Sequence, residues 1–193
     1  NNCKDVCMES TGKYWIPVFN VLEVSCNITL AHPKYVKAIR GKKTDKKDAK
    51  WIADLFKHDL IVGSFMPPLT IRQLRDLMRY RFKLTNFMSS EKNRLQNCLT
   101  VSNIQLANVV SDTFGKSSMN IINRLLENPL DNSFDIEPLI HASMKDKLPE
   151  LELAIDGFIT PEQAEKIKVI KHHYEDLQSR KAELENIILS LSV

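Results

Sequence analysis

The 193-residue chain lacks most of the features that quickly place a protein in a class. Its cysteines, Cys3, Cys7, Cys26 and Cys98, form no CxxC pair and no dense framework, which excludes a disulfide scaffold and makes a reducing cytoplasm the expected compartment. Cys3 and Cys7 have no second Cys/His pair at finger spacing, so they read as strand residues rather than half a zinc site. No apolar run reaches membrane length and no signal-peptide core is present, so no membrane partner is expected. The formal net charge is only +3, too small to announce nucleic acid by itself; that reading must rest on where the bases cluster. Phe114-Gly115-Lys116-Ser117-Ser118 reads as a turn between helices and lacks the Gly-rich spacing of a phosphate-binding loop. With 43% apolar and 26% charged residues, the remainder is ordinary for one sizeable globular domain or two small ones.

The densest charged feature that is present is Gly41-Lys42-Lys43-Thr44-Asp45-Lys46-Lys47-Asp48-Ala49, preceded by Arg40. On a helix begun near Asp45, the carboxylates of Asp45 and Asp48 project from one face. Two readings stand side by side. Paired carboxylates hold divalent metal; alternatively, Thr44 or Asp45 caps a helix and Asp48 is a first-turn acid favoured by the helix dipole. On this pair alone the cap is the commoner case.

Taken in order, Asp5-Val6-Cys7-Met8 predicts a buried strand that ends in the polar turn Glu9-Ser10-Thr11-Gly12. Ligand sites of open α/β sheets lie at the carboxyl ends of strands, which gives Glu9 a functional reading beside the plain one of a turn residue. Lys13 to Glu23 predicts a core-facing helix on Trp15, Val18, Phe19 and Leu22, and Val24 to Leu30 a half-buried strand of alternating pattern. A short helix over 34–40 closed by Gly41, a helix over 45–58 with Ala49, Ile52, Ala53 and Phe56 on its apolar face, and a short strand at Leu60-Ile61-Val62 follow. This alternation predicts an α/β layer with a mainly parallel sheet, thin unless further strands complete it.

Met66-Pro67-Pro68 marks a boundary, giving expected domains of 1–66 and 67–193. Beyond it, Ile71, Leu74, Leu77, Met78, Phe82, Leu84, Met88, Leu95 and Leu99 recur at helical steps with no interior proline or glycine. Arg72, Arg75, Arg79 and Lys83 fall within about 80° of one another, roughly opposite that stripe. Such a ridge is either a solvated cationic face or a phosphate-contacting one; between Thr70 and Glu91 Asp76 is the only acid, which favours phosphate. Thr160-Pro161-Glu162-Gln163 predicts a helix start with a capping box. Ala164, Ile167, Ile170, Tyr174, Leu177, Lys181, Leu184, Ile188 and Leu191 then mark a long amphipathic helix able to pair antiparallel with the first as a coiled coil, Lys181 interrupting the seam. His172 and His173 read as part of its solvated face. Asn1-Asn2-Cys3 in place of an initial Met, and a pattern still running at Val193, predict a fragment.

Met8-Glu9-Ser10-Thr11-Gly12-Lys13-Tyr14-Trp15, Lys43-Thr44-Asp45-Lys46-Lys47-Asp48-Ala49 and the Arg-rich Leu74-Arg75-Asp76-Leu77-Met78-Arg79-Tyr80-Arg81 together resemble one family: the DEDD transposases of bacterial insertion sequences, family one-ten, which also includes site-specific DNA invertases. The resemblance implies a RuvC-like domain of the ribonuclease H fold, then a coiled-coil region used in assembly. It makes Glu9, Asp45 and Asp48 the second, third and fourth of four acids that gather Mg²⁺. The first acid is expected before Asn1, and a C-terminal domain supplying a nucleophilic serine after Val193. It also implies DNA as partner, a structured non-coding RNA that bridges target and donor, and a homo-oligomer joined through the coiled-coil helices. Phosphodiester transfer needs developing negative charge neutralised, which carboxylate-held metal supplies. Lys42, Lys43, Lys46 and Lys47 would approach the nucleic-acid backbone beside it. The complete protein is then an enzyme that cuts and joins DNA, and this stretch alone is expected to be inactive. The alternative is a non-catalytic nucleic-acid-binding and dimerising module.

Overall fold

The computed structural model describes residues 3–37, 44–129 and 133–192. The chain divides into two compact units, Asn1–Leu69 and Thr70–Val193.

The first unit is built on a two-stranded parallel sheet. Strand β1, Asp5–Glu9, pairs with β2, Asn27–Ala31, in the register Asp5 to Asn27 and Glu9 to Ala31. Parallel strands need a crossover, and helix α1, Trp15–Leu22, supplies it. Gly12 starts the return in the left-handed region, with φ of 59°. Trp15, Phe19 and Leu22 turn inward, Phe19 fully, whereas Val18 is 49% exposed and shares an outer apolar face with Tyr14 and Val21. The expected strand over Val24 to Leu30 is shifted: Val24 is exposed, pairing begins at Asn27, and Leu30 and Ala31 are both buried, so strict alternation fails.

Helix α2, Pro33–Val36, is shorter than expected, because Lys37 adopts extended geometry; Ile39, Arg40 and the proposed Gly41 cap lie outside the described residues. Helix α3, Asp45–Lys57, lies against β1, and the Trp51 indole N–H donates to the Val36 carbonyl at 3.2 Å. Leu60-Ile61-Val62 is not a strand. A strand needs a ladder, and here only Gly63 bridges antiparallel to Ala31, with the Ser64 N–H on the Leu30 carbonyl at 2.7 Å.

The second unit is helical. Helix α4, Leu69–Val101, is followed by α5, Leu106–Val109; α6, Lys116–Glu127; α7, Leu148–Ala154; and α8, Pro161–Leu191. The C-terminal part of α4 and the N-terminal part of α8 enclose α6 and α7 around Leu95, Leu99, Ile121, Leu151 and Ile167, all at most 1% exposed. Farther out along the two long helices, Leu84, Leu177 and Leu184 form a thin seam flanked by Leu77, Met88 and Ile188. Arg81 bonds Glu185 at 2.6 Å and Glu91 meets His173 at 3.0 Å, so residue numbers rise on α4 as they fall on α8 and the pair is antiparallel.

Three expectations for these helices are corrected. Ile71, Met78 and Phe82 are 43%, 48% and 66% exposed, because the stripe of α4 that meets α8 runs through Leu77, Leu84 and Met88. Thr160 occupies the N-cap of α8, yet the capping box does not form: its hydroxyl donates to Glu162 at 2.6 Å instead. His173 is not a purely solvated residue, since Nδ1 reaches the buried Glu91 carboxylate. Lys181 holds its seam position by directing its ammonium to Glu185 at 4.0 Å. No helix among the described residues is long and apolar enough to cross a membrane.

Candidate functional site

The acids come from two elements of the first unit. Glu9 closes β1 and is half-buried; the ladder continues one residue past it through the Ser10 N–H, which donates to the Ala31 carbonyl at 2.9 Å. The Thr11 hydroxyl donates to Glu9 Oε1. Among the described residues the Glu9 carboxylate has no other hydrogen-bond donor.

Thr44 caps α3 in extended geometry, its Oγ1 accepting from the Lys47 N–H at 3.4 Å. Asp45 and Asp48 therefore stand in the first turn, about 60° apart around the axis. The half-buried stripe of α3 is Asp48, Trp51, Ile52, Leu55 and Phe56, while Ala49 and Ala53 are exposed; the packed face thus includes Asp48 and is rotated from the one the sequence predicts. Asp48 thus begins the half-buried stripe of a helix that lies against β1. Asp45 and both Lys46 and Lys47 are exposed. Lys42 and Lys43 lie outside the described residues.

The cap and the first-turn acids are thus real geometry, and they place Asp45 and Asp48 without deciding what they bind. Among the described residues no group of three or more His, Cys, Asp or Glu side chains is placed to hold a metal ion. Glu9, Asp45 and Asp48 offer hard carboxylate oxygens, the donor type Mg²⁺ takes, but they do not converge as a three-ligand set.

On α4, Arg75, Arg79 and Lys83 are exposed and make no ion pair among the described residues. Arg72 is half-buried and already engaged. Phe82 stands beside this basic ridge, 66% exposed.

Sequence reasoning missed three groups. Thr11 sits within the motif that singled out Glu9, and its two-residue spacing from a carboxylate was the available signal. Trp51, three residues from Asp48, is absent from the apolar face that the sequence predicts for this helix. Glu91 is 3% exposed and takes contacts from Arg94 and, 82 residues away, His173, which no local pattern reveals.

The described residues thus offer a strand-end acid, two first-turn acids on α3 and, on α4, the exposed cations Arg75, Arg79 and Lys83. The family model for IS110-type DEDD transposases, described as Transposase, matches residues 1–104, and the chain belongs to that family. No curated protein and no solved structure matches the chain.

Proposed function

We propose that the chain is the acid-bearing and helical part of a recombinase that moves an insertion sequence by cutting and rejoining DNA strands. Family membership over residues 1–104 carries the reading. The placement of Glu9 at the end of β1 and of Asp48 on the α3 stripe that meets the unit's interior supports it. A parallel strand pair with a helical crossover is a component of the RuvC-like, ribonuclease H fold, and that fold is part of the proposal.

In this reading Glu9, Asp45 and Asp48 act beside the scissile phosphate. Their donor chemistry suits Mg²⁺, whose service would be to neutralise charge on the reacting oxygens. Because the three do not converge, no step is assigned through the ion. What the chain's own residues do is more limited: Thr44 fixes the start of α3, Trp51 ties that helix to the end of α2, and Lys46 and Lys47 raise the local positive potential where a phosphate would lie. Arg75, Arg79 and Lys83 bind the nucleic-acid backbone. A structured RNA guide belongs to the proposal on resemblance alone.

A second reading, a nucleic-acid-binding and dimerising module without chemistry of its own, is favoured by one observation. Apolar side chains stay exposed on both long helices, Ile71, Met78 and Phe82 on α4 and Ile187 and Leu189 on α8, around a thin seam of Leu84, Leu177 and Leu184. A coiled-coil homo-oligomer would cover them. The two readings separate on Asp45→Ala with Asp48→Ala in the complete recombinase. Loss of DNA recombination with nucleic-acid binding retained is expected; intact recombination would sink the catalytic reading and leave the module.

A further inference from the structure

We propose that Thr11 is the positioning residue of Glu9, a role that rests on reading Glu9 as an acid of the strand-transfer site. The backbone beneath Glu9 is fixed: it pairs with Ala31, and the Ser10 N–H extends the ladder to the Ala31 carbonyl at 2.9 Å. The side chain is not fixed by that pairing, since a glutamate retains several rotatable bonds beyond its Cα. Gly12, at φ of 59°, turns the chain immediately after Thr11, in a conformation that a Cβ would strain. The Thr11 hydroxyl then donates to Oε1 of Glu9.

Three consequences follow from this contact. It occupies Oε1 and leaves Oε2 without a hydrogen-bond donor among the described residues. It selects one rotamer from several, and a β-branched donor with restricted χ1 holds its own direction while doing so. It also couples the carboxylate to a turn whose shape depends on Gly12, so acid and turn form one preorganised piece. Thr11 itself is exposed and supports no core packing, so its replacement tests the contact rather than the fold.

The test uses the complete recombinase and its DNA substrate, with single-turnover strand cleavage and DNA affinity measured separately for Thr11→Val, Thr11→Ala, Thr11→Ser and Glu9→Gln. Removing a hydrogen bond to a charged group is expected to slow cleavage about 10- to 100-fold in both Thr11→Val and Thr11→Ala. DNA affinity should stay unchanged, and Thr11→Ser, which keeps the donor, should restore most of the rate. Wild-type cleavage by Thr11→Val and Thr11→Ala alongside an inactive Glu9→Gln would overturn the Thr11 role alone. So would a parallel loss of DNA affinity, a serine variant no better than alanine, or total loss in Thr11→Val, which would make the hydroxyl a reacting group. Wild-type cleavage by Glu9→Gln would instead remove the reading of Glu9 on which the proposal stands.

Discussion

Thr44 is where the two readings of the acidic segment meet, because one hydroxyl caps α3 and thereby fixes the turn that carries Asp45 and Asp48. Replacing it with alanine should cost about 1 kcal/mol of local helix stability. Faster hydrogen exchange at the Lys47 amide, with exchange near Phe56 unchanged, is the expected signature. At Asp112, burial alone would raise the carboxyl pKa, but hydrogen bonds from Lys92 and the Phe114 N–H, with the charge of Lys92, outweigh it and hold the pKa below the usual carboxylate value. A pKa depressed on folding stabilises the native state above the unfolded value, about 3.9, and loses that contribution as pH falls through the folded value. The melting temperature of Asp112→Asn should therefore lie below wild type at pH 7, and the gap should close as pH drops below about 4. A gap independent of pH would mean that the ion pair is not its origin.

At the scale of elements, the long helices were legible because α4 and α8 repeat their apolar step over 33 and 31 residues, enough for the period to outweigh individual misfits such as Lys181. The facing of each stripe was less legible: Ala49 and Phe82 fit a helical period yet stand exposed, since which side is buried depends on a partner the period does not name. Strand extents failed at Val24 and Leu60 for the same reason, a ladder being a property of two segments. The acids stand out through motif spacing, while the contacts of Thr11 and of Glu91 with His173 depend on the folded chain. Gly157 shows a constraint of this kind. A Cβ there would stand 2.3 Å from the Ser102 carbonyl oxygen and 2.7 Å from Asn103 backbone atoms, where the loop before α8 crosses the loop after α4. The Phe158 N–H donates to that same Ser102 carbonyl at 2.8 Å, so the backbones cannot separate without breaking a bond. Gly157→Ala should destabilise the helical unit by about 1–3 kcal/mol, read as a lower urea midpoint. Leu184→Ala, in the thin seam, should cost about 2–3 kcal/mol, less than Leu151→Ala in the main core, because a cavity at the seam borders solvent and can collapse.

For the whole molecule, a net charge of +3 understates its cationic character, because the basic residues are unevenly placed. Many lysines and arginines of the helical unit are paired locally, Arg81 with Glu185, Arg124 with Glu127, Lys168 with Glu165 and Arg180 with Glu183. Arg75, Arg79 and Lys83 have no ion pair among the described residues, and the acids of α8 are largely committed to these local pairs. Charge that is compensated within the fold releases no counterions on binding a polyanion; charge left open does. Nucleic-acid affinity should thus be carried by a few side chains and fall steeply with salt. The logarithm of affinity against the logarithm of salt concentration should lose about 0.9 of slope on duplex DNA for each ridge residue replaced by alanine. The triple variant Arg75→Ala, Arg79→Ala, Lys83→Ala should lose roughly three times that, whereas Arg124→Ala and Arg180→Ala, which remove paired cations, should leave the slope near wild type. Equal losses from paired and unpaired cations would show binding led by overall charge, and a salt-insensitive affinity would remove the ridge from the interface.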